Sequence, residues 1–327
     1  MKAAVAYERN APVRVEEVVL DAPRRDEVRV RLAASGVCHS DLSAVNGTIP
    51  HALPLVLGHE GAGVIEEAGE GVSHLAPGDP VVLAWVARCG ECFFCRGGMP
   101  HLCELGARIN ATNRMPDGST RVHREGVDLN VFSALGTMAE RAVVPAAAVV
   151  KLPADAPLDT SALLGCAVMT GAGAVFNTAK VQAGSRVAVF GAGGVGLNVI
   201  QAAAIAGAER IVGVDARQEK LDLARAFGAT DAVDATRTDA VKARWPRRAR
   251  AARASWSASR VPGRRSRSTP SRSRSTNGAC WAAGTAAPTS VPTCRGCSRS
   301  SAAAGSSWAS WSRAGIVSRR STRPSPT

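Results

Sequence analysis

The chain has 327 residues, 46% of them hydrophobic and 20% charged, and a formal net charge of +13. That length supports two domains with a sizeable core; no run of about 18 apolar residues is present to cross a bilayer, and the N-terminus MKAAVAYERN lacks a signal-peptide layout, so a soluble, cytoplasmic protein is expected. The positive charge points to nucleic acid or membrane only until it is located: residues 1–240 hold 22 Lys and Arg against all 27 Asp and Glu, whereas residues 241–327 hold 18 Lys and Arg and no acid.

Residues 1–150 carry short β-like runs, "VRVEEVVL", "EVRVRLAASGV", "GAGVIEEAG", "DPVVLAWV" and "MAERAVVP", punctuated by Gly, Pro and Asp. That pattern predicts a compact antiparallel β domain. Near residue 151 the texture changes. "LDTSALLGCAVMTGAGAVFNTA" has helical spacing behind a Thr/Ser start. The following "SRVAVFGAGGVGLNVIQAAAIAGAERIVGVDARQEKLDLARAFGATDAVDA" reads strand, glycine turn, helix, strand, acidic end, helix, strand. It is one β-α-β-α-β half of a doubly wound parallel sheet.

The glycines of "VFGAGGVG" stand as G-x-G-x-x-G at Gly191, Gly193 and Gly196, with Gly194 and Val195 between. The motif alone is weak, but a strand precedes it and a helix follows. Gly191 permits the tight turn, Gly193 the approach of a pyrophosphate and Gly196 close helix–strand packing. The helix N-terminus then faces the phosphates. Asp215 ends the next strand, where a carboxylate accepts from ribose hydroxyls and repels a 2′-phosphate, favouring NAD.

Six of the nine cysteines lie before residue 241, and four are clustered: Cys89, Cys92, Cys95 and Cys103, a C-x2-C-x2-C-x7-C pattern. In a cytosolic chain this argues for metal over disulfides. Four thiolates close a tetrahedron around zinc with no open position, a structural site; the spacing matches neither ferredoxin pattern. His101, inside the lobe, is read as a surface residue. Cys38 in "GVCHSD", His59 in "LGHEGAG" and Cys166 in "LLGCAVMTG" are each weak alone. A Cys2His set with an open fourth position is a known ligand set of catalytic zinc, which keeps the three as candidates. His51, His74 and His123 are expected in loops or on the surface, without a role.

In order along the chain, "GVCHSDLSAVNG", "PLVLGHEGAGVI", "PGDPVVL", the four-cysteine lobe, "GCAVMTGAGAVFNTAKV" and the glycine motif resemble the zinc-dependent medium-chain alcohol dehydrogenases, over residues 1 to about 236. The nearest branch holds class III enzymes, which oxidise thiol adducts of formaldehyde, and bacterial alcohol and aryl-alcohol dehydrogenases. The resemblance implies a GroES-like antiparallel β domain with a Rossmann-type domain, two Zn²⁺ per chain, NAD, and oxidation of an alcohol to an aldehyde by hydride transfer. Cys38, His59 and Cys166 would hold the catalytic zinc and the four clustered cysteines the structural one. Glu60 would approach the metal during ligand exchange, and Asp41 would fix the His59 ring. Ser40 would bind the substrate hydroxyl and begin the proton relay. His39 would meet the cofactor pyrophosphate, Thr170 the nicotinamide and Lys220 the adenosine ribose. The relay histidine of some members is replaced here by Ser43, so the proton is expected to leave through water or another route.

Three segments are expected: a catalytic domain over 1–160 with its zinc lobe at 89–103, the first half of the NAD domain over 161–240, and a basic low-complexity tail over 241–327. The tail admits three readings: the product of a shifted reading frame in a GC-rich gene, natural disorder, or a nucleic-acid arm. The frameshift is the preferred one. Wrong frames of such genes overproduce Arg, Ala, Ser, Pro, Gly, Cys and Trp, and five of the six Trp fall after residue 240. Cys294 and Cys297 are read as accidental rather than as a third metal site. If the tail is genuine, a zinc-binding but catalytically dead fragment is the alternative. No membrane or nucleic-acid partner is expected. The family's oligomerisation through late strands of the NAD domain would have no counterpart here.

Overall fold

The computed structural model describes residues 1–237, and the expectations for the tail lie outside them. Two compact units are defined, one over Met1–Gly165 and a second beginning at Cys166. None of the six cysteines of the described residues is in a disulfide, and no single helix among the described residues is long and apolar enough to cross a membrane.

The first unit is mostly antiparallel β-structure. Its central sheet contains β1 (Glu27–Gly36), β2 (Glu60–Ala68), β3 (Pro80–Leu83), β4 (Arg141–Pro145) and β5 (Val149–Lys151) in the order β4-β1-β2-β3-β5. Val28, Val30, Ile65, Val81, Leu83 and Val144 project from it into one core, each at most 1% exposed. On the other face Arg29, Arg31 and Arg141 pair with Glu66 and Glu67. These half-exposed ion pairs contribute little each; alternation of apolar and charged residues sets which face is buried. A four-stranded sheet orders Asn130–Val131, Leu55–Val56, Lys2–Ala6 and Arg14–Glu17 side by side. Arg121, 1% exposed, is neutralised by Glu27 and Asp117 at 2.6 and 2.9 Å. A buried guanidinium requires such partners.

Register positions the site. Gly36 at the end of β1 pairs with Glu60 at the start of β2. The antiparallel pairing therefore leaves Cys38, just after β1, beside His59, just before β2. The chain turns directly from Cys38 into helix α1 (His39–Val45).

The second unit begins with helix α2 (Ala167–Gly173) and continues as a three-stranded parallel sheet, β6 (Arg186–Phe190), β7 (Arg210–Asp215) and β8 (Asp231–Asp234), in that order. Helix α3 (Gly194–Ile205) connects β6 to β7 and helix α4 (Gln218–Ala226) connects β7 to β8. Val187, Val189, Ile200, Ile211 and Ala224 form its core. The β-α-β-α-β order follows the expectation.

The 158–179 stretch differs from the single helical run its spacing suggested. It breaks into Leu158–Ser161, a 3₁₀ turn over Ala162–Gly165, α2, and a π-helical turn over Ala174–Ala179. Cys166 interrupts it with non-helical angles of −143° and −73°. Side-chain spacing does not report a one-residue break in the backbone ladder.

Candidate metal and dinucleotide sites

Asp41 organises the first cluster. It is the third residue of α1, and its Oδ2 accepts the Cys38 N–H at 3.0 Å, capping the helix. Its Oδ1 accepts the Gly58 N–H at 3.1 Å and lies 3.3 Å from His59 Nδ1. One carboxylate, 1% exposed, thus ties Cys38 to the 58–59 turn and fixes the His59 ring. Cys38, His59 and Glu60 each present a donor atom within 4.8 Å of the others. Burial disfavours a charged His59, but its hydrogen bonds to Asp41 and Cys38 outweigh this and raise the ring pKa to about 10. A metal taking this imidazole displaces that proton.

Glu60 is 2% exposed. It fits because its cross-strand neighbour is Gly36, where a Cβ would fall 2.0 Å from Glu60 Oε2. Thr137 Oγ1 donates to the Glu60 carbonyl at 3.1 Å and lies 2.9 Å from Ser35 Oγ. Ser40 Oγ lies 3.7 Å from Cys38 Sγ. His39 opens α1 on the exposed side. Phe132 packs its ring against the His59 imidazole at 4.9 Å. It is held by an uncommon backbone, with Ser133 and Ala134 both in the left-handed region. Such conformers cost about 1–3 kcal/mol each. Gly36, Thr137 and Phe132 carry no local sequence signal. Cys166 is buried and starts the second unit, one peptide bond beyond Gly165, whose carbonyl accepts the Trp85 N–H at 3.2 Å.

The four lobe cysteines also converge, their sulfurs all within 4.8 Å of one another. Cys89 Sγ lies 3.6 Å from Cys103 Sγ and 4.0 Å from Cys95 Sγ. A tetrahedron with Zn–S bonds of about 2.3 Å has edges of about 3.8 Å, so the lobe fits zinc. Backbone amides point at the sulfurs: Cys89 N–H donates to Cys103 Sγ and Cys92 N–H to Cys89 Sγ, both at 3.3 Å. The backbone amides of Cys95 and Glu104 pull the Cys92 thiol down to about 6, while desolvation and the neighbouring sulfurs push Cys95 up to about 12. His101 is exposed, as expected.

In the second unit Gly191 has φ +94°, open to glycine, and a Cβ at Gly196 would meet the Gly191 carbonyl at 1.8 Å. Gly193 caps α3, with Gly194, Val195 and Gly196 in its first turn, and a Cβ at Gly193 would meet nothing within 4 Å. Open space at a helix N-terminus is what a phosphate requires. Asp215 Oδ2 accepts the Ala192 N–H at 2.8 Å, tying the glycine turn to the end of β7. Its Oδ1 accepts the N–H groups of Ala216 and Arg217 at 2.8 and 3.1 Å. The sequence suggested a ribose acceptor; the structure adds this scaffolding role. Lys220 sits half-buried on α4 and Thr170 half-buried on α2, where its N–H donates to the Cys166 carbonyl at 2.9 Å.

One histidine departs from the loop expectation. His123 lies on a strand, Val122–Arg124, bridging Asp21 and Asp128 at 3.0 and 2.9 Å. His51 lies in a loop and packs against Phe132, with ring centroids 4.9 Å apart.

Comparison with known proteins agrees with this architecture. Residues 24–154 match the alcohol dehydrogenase GroES-like domain, and residues 194–256 the zinc-binding dehydrogenase family. The chain is 45% identical over 234 residues to the S-(hydroxymethyl)glutathione dehydrogenase of Saccharomyces cerevisiae, covering 71% of this chain and 61% of that protein. It is 36% identical to a benzyl alcohol dehydrogenase from Acinetobacter calcoaceticus, with TM-score 0.69 over 73% of this chain and 65% of that one. It is 34% identical to an alcohol dehydrogenase from Aeropyrum pernix, with TM-score 0.63 over 78% of this chain and 71% of that one. The chain belongs to the zinc-dependent medium-chain alcohol dehydrogenase family. It spans about three fifths of the length of the curated relatives it matches.

Proposed function

We propose that the protein oxidises an alcohol, or a thiol–formaldehyde adduct, to the aldehyde, passing hydride to NAD⁺ and releasing one proton. The observation that carries this reading is the convergence of Cys38, His59 and Glu60 around a ring fixed by Asp41. Cys38, His59 and Cys166 hold zinc in this reading; Cys166 follows Gly165, a residue anchored to Trp85 in the unit that carries the other two. Bound there, zinc supplies Lewis acidity that eases ionisation of the alcohol. Asp41 keeps the His59 nitrogen facing the metal, and Glu60 waits as an exchange ligand behind Gly36. Ser40 Oγ accepts the alcohol proton and passes its own onward; with Ser43 in place of a relay histidine, water carries it away. The turn over Gly191, Gly193, Gly194, Val195 and Gly196 binds the pyrophosphate, assisted by His39. Asp215 and Lys220 meet the ribose, and Thr170 the nicotinamide.

The test is NADH formation by the full zinc-loaded chain with NAD⁺ and primary alcohols, including benzyl alcohol and hydroxymethylglutathione. Turnover that disappears in Ser40→Ala supports the reading. No NADH from any of them, with two zinc sites filled, overturns it.

A further inference from the structure

A glycine flanks the His59–Glu60 pair on each side, and one threonine from a distant segment fills the space that both leave. A Cβ at Gly58 would fall 2.6 Å from Thr137 Oγ1, and one at Gly61 would fall 2.6 Å from Thr137 Cγ2. Thr137 is 1% exposed. Its N–H donates to the Gly58 carbonyl and its Oγ1 to the Glu60 carbonyl, both at 3.1 Å. A single residue thus holds the carbonyls on either side of His59. Because a peptide is planar, this orients the 58–59 and 60–61 peptides, and with them the Cα–Cβ directions of His59 and Glu60.

The direction of the hydroxyl bonds follows from the partners. A carbonyl only accepts, so Thr137 gives its one hydroxyl proton to Glu60. In its 2.9 Å contact with Ser35 Oγ it therefore accepts. Ser35 faces Gly61 across β1 and β2, on the strand that leads to Cys38. Asp41 holds complementary groups of the same turn, the Gly58 N–H and the His59 ring. The segment that delivers Thr137 follows an uncommon path: Ser133, Ala134 and Gly136 have φ of 53°, 52° and 55°. Its other end, Phe132, packs on the His59 ring. Backbone held in such conformations clusters at functional sites.

We propose that Thr137, aligned by Ser35, is a positioning residue for the metal cluster. Its hydroxyl holds the Glu60 carbonyl so that the His59 imidazole and the Glu60 carboxylate are aimed at one metal ion. This rests on the reading of Cys38, His59 and Cys166 as the ligands of a catalytic metal.

The experiment uses the full chain with zinc in the cysteine lobe and cobalt(II) in the site of Cys38, His59 and Cys166, where visible absorption reports ligand geometry. Thr137→Val keeps the shape and removes the hydroxyl; Thr137→Ser keeps the hydroxyl. Thr137→Val should alter the cobalt spectrum and weaken cobalt binding about tenfold, with the lobe zinc held as tightly as before. Thr137→Ser should restore the wild-type spectrum and most of the affinity. Ser35→Ala should weaken cobalt about threefold, and it decides the question where Thr137→Val does not fold. A folded Thr137→Val that loses stability to urea but keeps the cobalt spectrum and affinity overturns the proposal, since its threonine only packs. Unchanged cobalt binding in Ser35→Ala overturns it, as does a Thr137→Ser chain no closer to wild type than Thr137→Val. Failure of the dehydrogenase reading is separate, because it appears as absent NADH while the cobalt spectra still decide Thr137.

Discussion

Gly36 and Glu60 face each other across β1 and β2 so closely that a Cβ at position 36 would lie 2.0 Å from Glu60 Oε2 and 3.0 Å from its Cβ. The buried carboxylate occupies space that only glycine leaves. Gly36→Ala is therefore expected to displace Glu60 and to cost about 1–3 kcal/mol of stability. Urea unfolding of the zinc-loaded chain measures this, and an unchanged midpoint would contradict the packing described.

Asp41→Ala removes the acceptor for the Cys38 and Gly58 amides and for His59 Nδ1. Loss of a carboxylate behind a ligating histidine lowers metal affinity by about 10–100-fold. Competition with a chromophoric chelator should show one zinc weakened and the lobe zinc unaffected.

Zinc content should be about two per chain. Cys166→Ser and Cys103→Ser should each leave about one, by elemental mass spectrometry. A Cys166→Ser chain that still binds both would remove Cys166 from the ligand set.

The lobe thiols differ in reactivity once zinc is chelated. With Cys92 lowered to about 6 and Cys95 raised to about 12, Cys92 is largely thiolate near neutral pH and Cys95 is not. Thiolate is the nucleophile. Iodoacetamide labelling followed by peptide mapping should modify Cys92 ahead of Cys95. The preference should fade as pH falls below about 6, where Cys92 is protonated.

Asp215→Ala removes the acceptor holding Ala192 against β7, together with the ribose acceptor of the proposed site. Fluorescence titration should show NADH binding weakened about tenfold or more, since hydrogen bonds to a charged group are worth about 1.5–3 kcal/mol. Discrimination against NADPH should narrow, because the carboxylate no longer repels the 2′-phosphate.

Much of this was legible along the chain. The glycine motif is local: three residues of turn, flanked by a strand and a helix, force one backbone path, and it is found at Gly191–Gly196. The four lobe cysteines span 15 residues and could hardly avoid one another. Cys38 and His59 were legible only through family resemblance, because their meeting depends on the Gly36–Glu60 register. His51 is expected only in a loop or on the surface, without a role. A histidine in a loop looks alike whether its Nε2 faces solvent or is buried, and Asn113 lies 62 residues away.

The sequence by itself determined the donor types, the glycine turn and the acidic residue that ends β7, since each is a short motif whose chemistry follows from composition and spacing. Only tertiary structure decided which strands pair, and therefore that a glycine faces Glu60 and that one aspartate serves Cys38, Gly58 and His59 together. It also decided that His51 meets Asn113 and Phe132. Pairing and burial arise from contacts between distant segments, where shape and desolvation are settled for many residues at once and no single stretch carries the answer.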